Sequence, residues 1–306
     1  MNTLNVSISP HVRDNASTSR IMLDVLIALI PTFIASIFIF GVRAILVVCV
    51  CFVSCIVFEA LYQKLMKQPV TIKDKSACVT GVLLALNLPV TIPLWQAVFG
   101  SLVAIILVKQ LFGGLGKNFA NPVIAARIVM FLAFSVTMST WVTPPDGVSG
   151  ATPLALIASG DTGALPKITD MLLGMRGGCI GETSIIALVI GGIYLMIRRV
   201  ISWCTPVAFI ATVFVFTAIL GKEPVYQILS GGLVLGAIFM ATDYVTTPST
   251  NSGRIIFGIG AGFMTVVIRL YGSYAEGVSF AILLMNILTP YINKATMKKA
   301  LGGVKA

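Results

Sequence analysis

A stretch of seven small and polar residues interrupts an otherwise apolar chain and contains one well-placed hydroxyl. It reads Asp146, Gly147, Val148, Ser149, Gly150, Ala151 and Thr152. A residue before proline is pushed toward extended backbone, and Pro153 suits the first position of a helix. We therefore predict a short helix over 153–158 with Thr152 as its N-cap. A phosphate esterified to Thr152 would be stabilised at this positive helix end. The small neighbours leave room for an enzyme or a bulky cofactor.

A second polar block precedes the sixth apolar run and contains a glutamate and two hydroxyls. It reads Arg176-Gly-Gly-Cys-Ile-Gly followed by Glu182, Thr183 and Ser184. Thr183 or Ser184 can cap the helix that follows, and capping alone would explain the block. The functional alternative is that the block folds against the Thr152 loop and contacts a bound cofactor.

Charges that fall within or beside apolar runs are expected to pair or to line a path, because an unpaired charge in lipid costs at least about 2.5 kcal/mol. They are Asp24, Glu59, Arg127, Asp243, Arg269 and Glu276. Asp24 and Glu59 fit the interfacial ends of their helices. Asp243 interrupts a run of hydroxyl residues, so it is a weak candidate for an ion path and equally fits a helix-end cap.

The sequence lacks the residues and motifs that other common active sites and nucleotide-binding sites require. The single histidine, His11, lies in the polar N-terminal segment, so a histidine-based catalytic triad and a multi-histidine metal site are not expected. No phosphate-binding loop or dinucleotide fingerprint occurs, so we expect no NAD or ATP site. The cysteine spacing fits no metal motif, and cysteine in an apolar run usually acts as a small apolar residue.

The composition is that of a membrane protein, with 57% hydrophobic and 10% charged residues, where soluble domains have about 25% charged residues. Apolar runs recur along the chain and predict ten spans, so we expect an all-α polytopic membrane protein. The spans are 21–40, 44–63, 76–89, 93–110, 121–139, 184–200, 204–220, 226–241, 254–269 and 277–293. No cleaved signal peptide is predicted, because the first apolar run is too long.

Charge counting predicts the orientation of these spans. The N-terminus and the even-numbered loops carry 15 of the 21 Lys and Arg residues, and the other side carries five. Both termini should therefore be cytoplasmic and the Thr152 loop extracytoplasmic. The same rule explains the net charge of +10, so nucleic-acid binding is not expected.

The two halves of the chain resemble each other, which predicts two inverted five-helix repeats. The segment from Lys109 pairs with that from Ile268, and the segment from Gly81 pairs with that from Gly232. The expected organisation is an N-terminal segment (1–20), a first repeat (21–139), a loop (140–183), a second repeat (184–293) and a basic tail (294–306). The third and eighth spans are short, Gly-rich and followed by proline, so we predict a broken helix in each half, the two meeting near the pseudo-two-fold axis.

The string from Asp146 to Thr152 resembles the site at which FMN is attached by a phosphoester bond in membrane subunits of the Rnf and Na+-NQR complexes. The Glu182-Thr183-Ser184 pattern resembles the same family. The resemblance covers nearly the whole chain, and the short N-terminal segment is closer to the Rnf branch. Stretches 86–89 and 117–122 also resemble the family, which implies a second, non-covalent flavin near them.

The resemblance implies a subunit of a redox-driven ion pump in a bacterial or archaeal cytoplasmic membrane. Covalent FMN on Thr152 would pass electrons between ferredoxin- and NAD-linked subunits, coupled to Na+ or H+ movement. Expected partners are the other Rnf subunits, including a second FMN-bearing subunit and iron–sulfur subunits, a flavin transferase for maturation, and the lipid bilayer. The alternatives are a quinone-reductase subunit of the Na+-NQR type, a non-redox secondary transporter, and a purely structural anchor.

Overall fold

The computed structural model describes residues 17–143, 148–272 and 277–297. Helices account for most of these residues and are labelled in chain order. In the first part of the chain they are α1 (Thr18–Phe40), α2 (Val42–Leu65), α3 (Ser76–Leu86), α4 (Leu94–Leu102, continued as a π-helix over Val103–Gln110), α5 (Pro122–Ala133) and α6 (Ser135–Met138). Two short helices, α7 (Pro153–Ser159) and α8 (Ile168–Leu173), lie between the halves.

The second half contains α9 (Ile185–Ile197), α10 (Cys204–Ile219), α11 (Pro224–Leu229), α12 (Leu233–Leu235, continued as a π-helix over Gly236–Met240), α13 (Asn251–Tyr271) and α14 (Val278–Thr296). Short 3-10 turns occur at Ile72–Asp74 and Thr162–Ala164. The predicted all-α class needs one small correction. Strands β1 (Val142–Thr143) and β2 (Val148–Ser149) form an antiparallel pair in the loop between the halves.

Every predicted span coincides with helix, although few of the helices are long. By length and composition, α1, α2, α13 and α14 are apolar enough to cross a membrane, and five further apolar helices have 10–17 residues. A full crossing needs about 20 residues, so the 11 residues of α3 cover only about half of the hydrocarbon thickness. Helix α3 is therefore too short to span this layer by itself, and its open end needs partners inside the protein.

The third and eighth spans are broken, as predicted, but the eighth breaks at a position we did not expect. Helix α3 ends at Leu86, ahead of Pro89. The eighth span is interrupted between α11 and α12, where Gly231 and Gly232 both have φ of +65°. Two successive left-handed residues cannot continue a right-handed helix, and glycine adopts this conformation without steric cost. The chain also leaves helix after Met240, nearer to the expected position.

The fifth span was predicted as one helix but is interrupted at Phe134, with φ −131° and ψ 48°. Its ring makes edge-to-face contacts with Trp95 (centroids 5.2 Å apart) and Phe99 (5.5 Å apart) on α4. Such aromatic pairs contribute about 0.5–1.5 kcal/mol beyond burial of their area. These ring contacts stabilise the chain at the interruption.

Helices of the two halves pack on each other. The first helix of each half, α1 and α9, are in contact, and so are the fifth, α5 and α14. At Gly191 in the α1–α9 contact, a Cβ would overlap the backbone oxygen of Ala28. The buried apolar core runs through both halves as one cluster.

Candidate functional site

The predicted attachment loop forms a short hairpin that leads into α7. Strands β1 and β2 pair in the register Val142–Ser149 and Thr143–Val148. The N–H of Gly150 then donates to the carbonyl of Trp141 at 3.1 Å. Asp146 and Gly147 lie outside the described residues, and only the backbone of Ser149 is described. The hairpin fixes the backbone immediately before Thr152.

Thr152 is the N-cap of α7, which confirms the predicted helix start at Pro153. Its backbone is extended (φ −69°, ψ 155°), and its Oγ1 accepts a hydrogen bond from the N–H of Ala155 at 3.2 Å. In this bond the oxygen uses a lone pair and not its own proton. The O–H bond of Thr152 is therefore free for esterification while the helix stays capped.

The neighbours of Thr152 leave its side chain accessible. Gly150 and Ala151 are exposed and Thr152 is partly exposed. A Cβ on Gly150 would lie 2.8 Å from Oγ1 of Thr143, so a larger residue there would push the two hairpin arms apart. The close approach of Thr143 therefore explains why a glycine occupies position 150. The small residues also leave the Thr152 hydroxyl accessible to a large reactant.

The second polar block folds against this hairpin, as the functional alternative requires. A Cβ on Gly177 would lie 3.4 Å from Cβ of Trp141 and 3.9 Å from the backbone oxygen of Gly150. The simple capping interpretation is wrong for the hydroxyl of Ser184, which occupies the N-cap position of α9 but makes no side-chain cap hydrogen bond. Glu182, Thr183 and Ser184 are all buried.

The block also completes the backbone hydrogen bonding of the broken third span. The N–H of Ile180 donates to the carbonyl of Leu88 at 3.0 Å, and that of Gly181 donates to the carbonyl of Leu86 at 2.8 Å. A Cβ on Gly181 would approach Cβ of Leu86 to 2.5 Å, so only glycine permits this contact. The loop therefore supplies the partners that the open end of α3 needs.

Arg127 joins the breaks of both halves. From α5, its Nη1 donates to Oδ1 of Asn87 at 2.9 Å, and its Nη2 donates to Sγ of Cys179 at 3.1 Å. A Cβ on Gly232 would lie 3.5 Å from Nη1 of Arg127 and 3.2 Å from Oε2 of Glu182. The two broken segments thus meet at one guanidinium group. The sequence marked Arg127 as a charge in a span but gave no sign of its partners.

Arg176 is the second buried cation of this region, 2% exposed. Its Nη2 donates to the carbonyl of Glu182 at 2.9 Å, while Nε and Nη1 have no hydrogen-bond partner within the described part of the chain. Burial lowers the pKa of Arg176, and the charge of Glu182 opposes this shift. Arginine stays protonated in proteins, so the group remains a cation.

A cavity of about 510 Å³ lies beside the helix that begins at Thr152. It is lined by Leu154, Ile157 and Ala158 of α7, by Leu220, Lys222 and Gln227 around the start of α11, and by Arg269, Leu270, Tyr271 and Gly272 at the end of α13. Small-molecule sites usually have volumes of about 300–1,000 Å³. The sequence pattern did not indicate this cavity, because its walls come from three distant segments.

Asp243 lies near the other end of α13, so it is far from the Thr152 loop: the 21 residues of that helix span about 30 Å. Its Oδ2 accepts from Oγ1 of Thr246 at 3.1 Å. Asp243 and Tyr244 line two adjoining cavities. The more apolar one, of about 90 Å³, is also lined by Asn118 and Asn121.

Two further charges in the apolar segments, Glu59 and Asp24, are paired, as predicted. Nζ of Lys109 contacts the two carboxylate oxygens of Glu59 at 2.9 and 2.8 Å, with side chains 2% and 1% exposed. Glu59 is therefore buried within the protein, close to the end of α2, and its interfacial depth stays a prediction. Asp24 accepts from Tyr194 Oη at 3.0 Å and from Arg198 Nη2 at 3.3 Å. Glu276 lies outside the described residues.

These features define a helical membrane protein whose halves share a buried polar junction and which presents an accessible threonine beside it. Comparison with known proteins agrees with this class. The model of the NQR2, RnfD, RnfE family matches residues 5–302, so the chain belongs to that family.

Three similar proteins are each described as the D subunit of an oxidoreductase complex. One is the D subunit of the Na(+)-translocating ferredoxin:NAD(+) oxidoreductase complex of Acetobacterium woodii, 47% identical over all of this chain and 98% of that protein. The D subunit of the proton-translocating ferredoxin:NAD(+) oxidoreductase complex of Clostridium ljungdahlii is 42% identical, covering 98% and 97% of the two chains. The D subunit of the ion-translocating oxidoreductase complex of Stutzerimonas stutzeri is 38% identical, covering 94% and 93%.

Proposed function

We propose that this protein is the D subunit of an ion-translocating ferredoxin:NAD oxidoreductase complex and carries FMN on Thr152. The relatives that match it along nearly their whole length support the assignment to the complex. The string from Asp146 to Thr152 and the geometry of Thr152 support the flavin. The single observation that carries the flavin proposal is the Thr152 side chain, accessible and with a reactive O–H bond left free by the cap.

The residues around Thr152 fit an esterified FMN. Gly150 and Ala151 leave space on the exposed side. The N–H of Ala155 donates to a lone pair of Thr152 Oγ1, and this oxygen still has a lone pair in a phosphoester. Bound there, FMN would supply one-electron transfer between the redox centres of neighbouring subunits, while the protein supplies placement and electrostatics. Glu182, Thr183 and Ser184 belong to the flavin-binding region as its buried base, because the block that contains them packs against the hairpin.

The proposed arrangement in the membrane follows the charge asymmetry and the helix packing. Both termini face the cytoplasm of a bacterial or archaeal cell, and the flavin loop faces outward, where a flavin transferase would modify it. The chain forms two inverted five-helix repeats. The contacts of α1 with α9 and of α5 with α14 support this, because a two-fold axis in the membrane plane brings equivalent helices together.

The partners in this proposal are the other Rnf subunits. They include a second FMN-bearing subunit and the iron–sulfur subunits, and together they pass electrons between ferredoxin and NAD with movement of Na+ or H+. A second, non-covalent flavin stays a prediction of the resemblance. The cavity beside Asn118 and Asn121 measures about 90 Å³, below the volume of usual small-molecule sites, so its walls would have to separate to admit a flavin.

Flavin fluorescence of the denatured, washed polypeptide tests the covalent attachment. With a co-expressed transferase, the wild-type band should fluoresce on a denaturing gel and Thr152→Ala should lose this signal. Ser159→Ala, which removes an exposed hydroxyl at the far end of α7, is the matched control and should fluoresce fully. Equal fluorescence of Thr152→Ala and wild type would refute the assignment.

The same experiment separates two of the alternatives, and an activity assay of the complex separates the third. A non-redox secondary transporter or a structural anchor carries no covalent flavin and gives no fluorescent band. A quinone-reductase subunit of the Na+-NQR type gives the band, but its complex would reduce quinone and not couple ferredoxin to NAD.

A further inference from the structure

The cavity beside α7 combines three kinds of wall that suit a planar aromatic ligand. Leu154, Ile157 and Ala158 form an apolar wall on one face of α7. Tyr271, 78% exposed, provides an aromatic ring, and Lys222 and Arg269 provide positive charge. We propose that this cavity receives the isoalloxazine ring of the flavin esterified to Thr152. This inference rests on the proposed function and assigns the position of the ring, which the attachment point alone leaves open.

The cavity lies within reach of Thr152. Its α7 wall begins at Leu154 and ends at Ala158, which are two and six residues beyond Thr152. At 1.5 Å per residue, these positions lie about 3–9 Å along the helix axis from the attachment point. A phosphate and an extended five-carbon ribityl chain cover such a distance, so the ring can lie against α7 without a change in the hairpin.

The wall opposite α7 is held in place by hydrogen bonds. Arg269 donates through Nη1 to Oε1 of Gln227 at 3.1 Å and through Nη2 to the carbonyl of Ser230 at 3.0 Å. Gly231 lies next to both Leu154 and Arg269, since a Cβ there would overlap Cδ1 of Leu154 and lie 2.8 Å from Nη2 of Arg269. The start of α7, which follows Thr152, therefore lies close to the guanidinium group of Arg269.

The composition of the walls matches the two ends of the ring system. The dimethylbenzene end of isoalloxazine is apolar and suits the α7 face. The pyrimidine end carries carbonyl oxygens and gains negative charge on reduction, so cations near it favour the reduced state. Lys222 and Arg269 together should raise the midpoint potential of the bound flavin. A lipid chain would use only the apolar wall.

Protection from labelling tests the position of the ring. Ala158→Cys lines the cavity, whereas Ser159→Cys is the next exposed residue and does not. Membranes with the assembled complex, prepared with and without the flavin transferase, are treated with a membrane-impermeant maleimide. Residue 158 should react several-fold more slowly when the transferase is present, and residue 159 should react equally in both. Rapid and equal reaction of residue 158 in both preparations would overturn the proposal, provided that the flavinylated band fluoresces.

A second measurement decides the case in which a neighbouring subunit shields residue 158 in both preparations. The midpoint potential of the Thr152 flavin is obtained by redox titration after subtraction of a Thr152→Ala complex. Lys222→Gln should shift it to a more negative value, whereas Lys167→Gln, an equal charge change outside the cavity, should not. An unchanged potential in Lys222→Gln would remove the ring from this cavity. A wild-type band without fluorescence would overturn the proposed function and, with it, this inference.

Discussion

Removing one member of the buried Lys109–Glu59 pair should destabilise the protein far more than removing both. Lys109 donates to both oxygens of Glu59 and also to Oγ of Ser76 at 2.6 Å. Lys109→Met keeps the aliphatic volume but leaves the Glu59 carboxylate buried without its cation. Breaking a buried ion pair in this way costs about 3–5 kcal/mol, equivalent to at least about a hundredfold in the unfolding equilibrium constant.

The double variant Glu59→Gln with Lys109→Met should recover much of this loss, because the remaining groups keep their partners. Nε2 of Gln110 donates to Glu59 Oε1 at 3.0 Å, and an amide oxygen at residue 59 would accept the same bond. Oγ of Ser76 can still donate to Oδ1 of Asp74 at 2.6 Å. No charge is then left unpaired by the substitutions, so the two should be coupled by about 1–3 kcal/mol.

Unfolding by SDS in mixed micelles, followed by tryptophan fluorescence, measures these free energies. The wild type, both single variants and the double variant complete the cycle. An additive result, in which the double variant loses the sum of the two single losses, would show that the pair does not stabilise the fold in the way its geometry indicates.

Three further predictions concern the ion path, the orientation and the contact between halves. Asp243→Asn should lower the ratio of ions moved to electrons transferred in vesicles while the covalent flavin stays in place; an unchanged ratio in an assembled complex would remove Asp243 from the path. A cysteine at Ala164 should react with an impermeant maleimide from outside the cell and one at Ala295 should not, and the reverse pattern would invert the proposed topology. Gly191→Ala should lower the free energy of unfolding by about 1–3 kcal/mol, because the added Cβ would overlap the backbone of Ala28. The same SDS titration measures this change, and an unchanged free energy would contradict the close packing of α1 on α9.

The positions of the apolar helices could be predicted from the sequence because membrane burial imposes long apolar runs. The start of α7 could also be predicted, since Thr152 and Pro153 act locally on the backbone. The interruption at Phe134 could not, because no proline or glycine marks it. That break depends on ring contacts with residues more than 30 positions away in the sequence.

The candidate site was predictable only as far as its residues are neighbours in sequence. The string around Thr152 stood out by itself. The junction of Arg127 with Asn87 and Cys179 depends on three segments separated by 40 and 52 positions, and no periodic pattern reports such contacts. The same holds for Lys222 and Tyr271, which look like ordinary residues at helix ends until the fold brings them beside α7.

The hydrogen bonds between the loop and the broken third span also constrain how the chain is made. The carbonyls of Leu86 and Leu88 stay without these partners until Gly181 and Ile180 have been synthesised. At ordinary rates of translation, the ribosome needs roughly 5–20 s to add the intervening residues. During that interval the nascent first half keeps these two backbone carbonyls without their partners. A gene divided between the two halves would therefore yield an N-terminal fragment whose Leu86 and Leu88 carbonyls lack their hydrogen-bond partners. Membrane proteases should degrade this fragment unless the C-terminal fragment binds to it first.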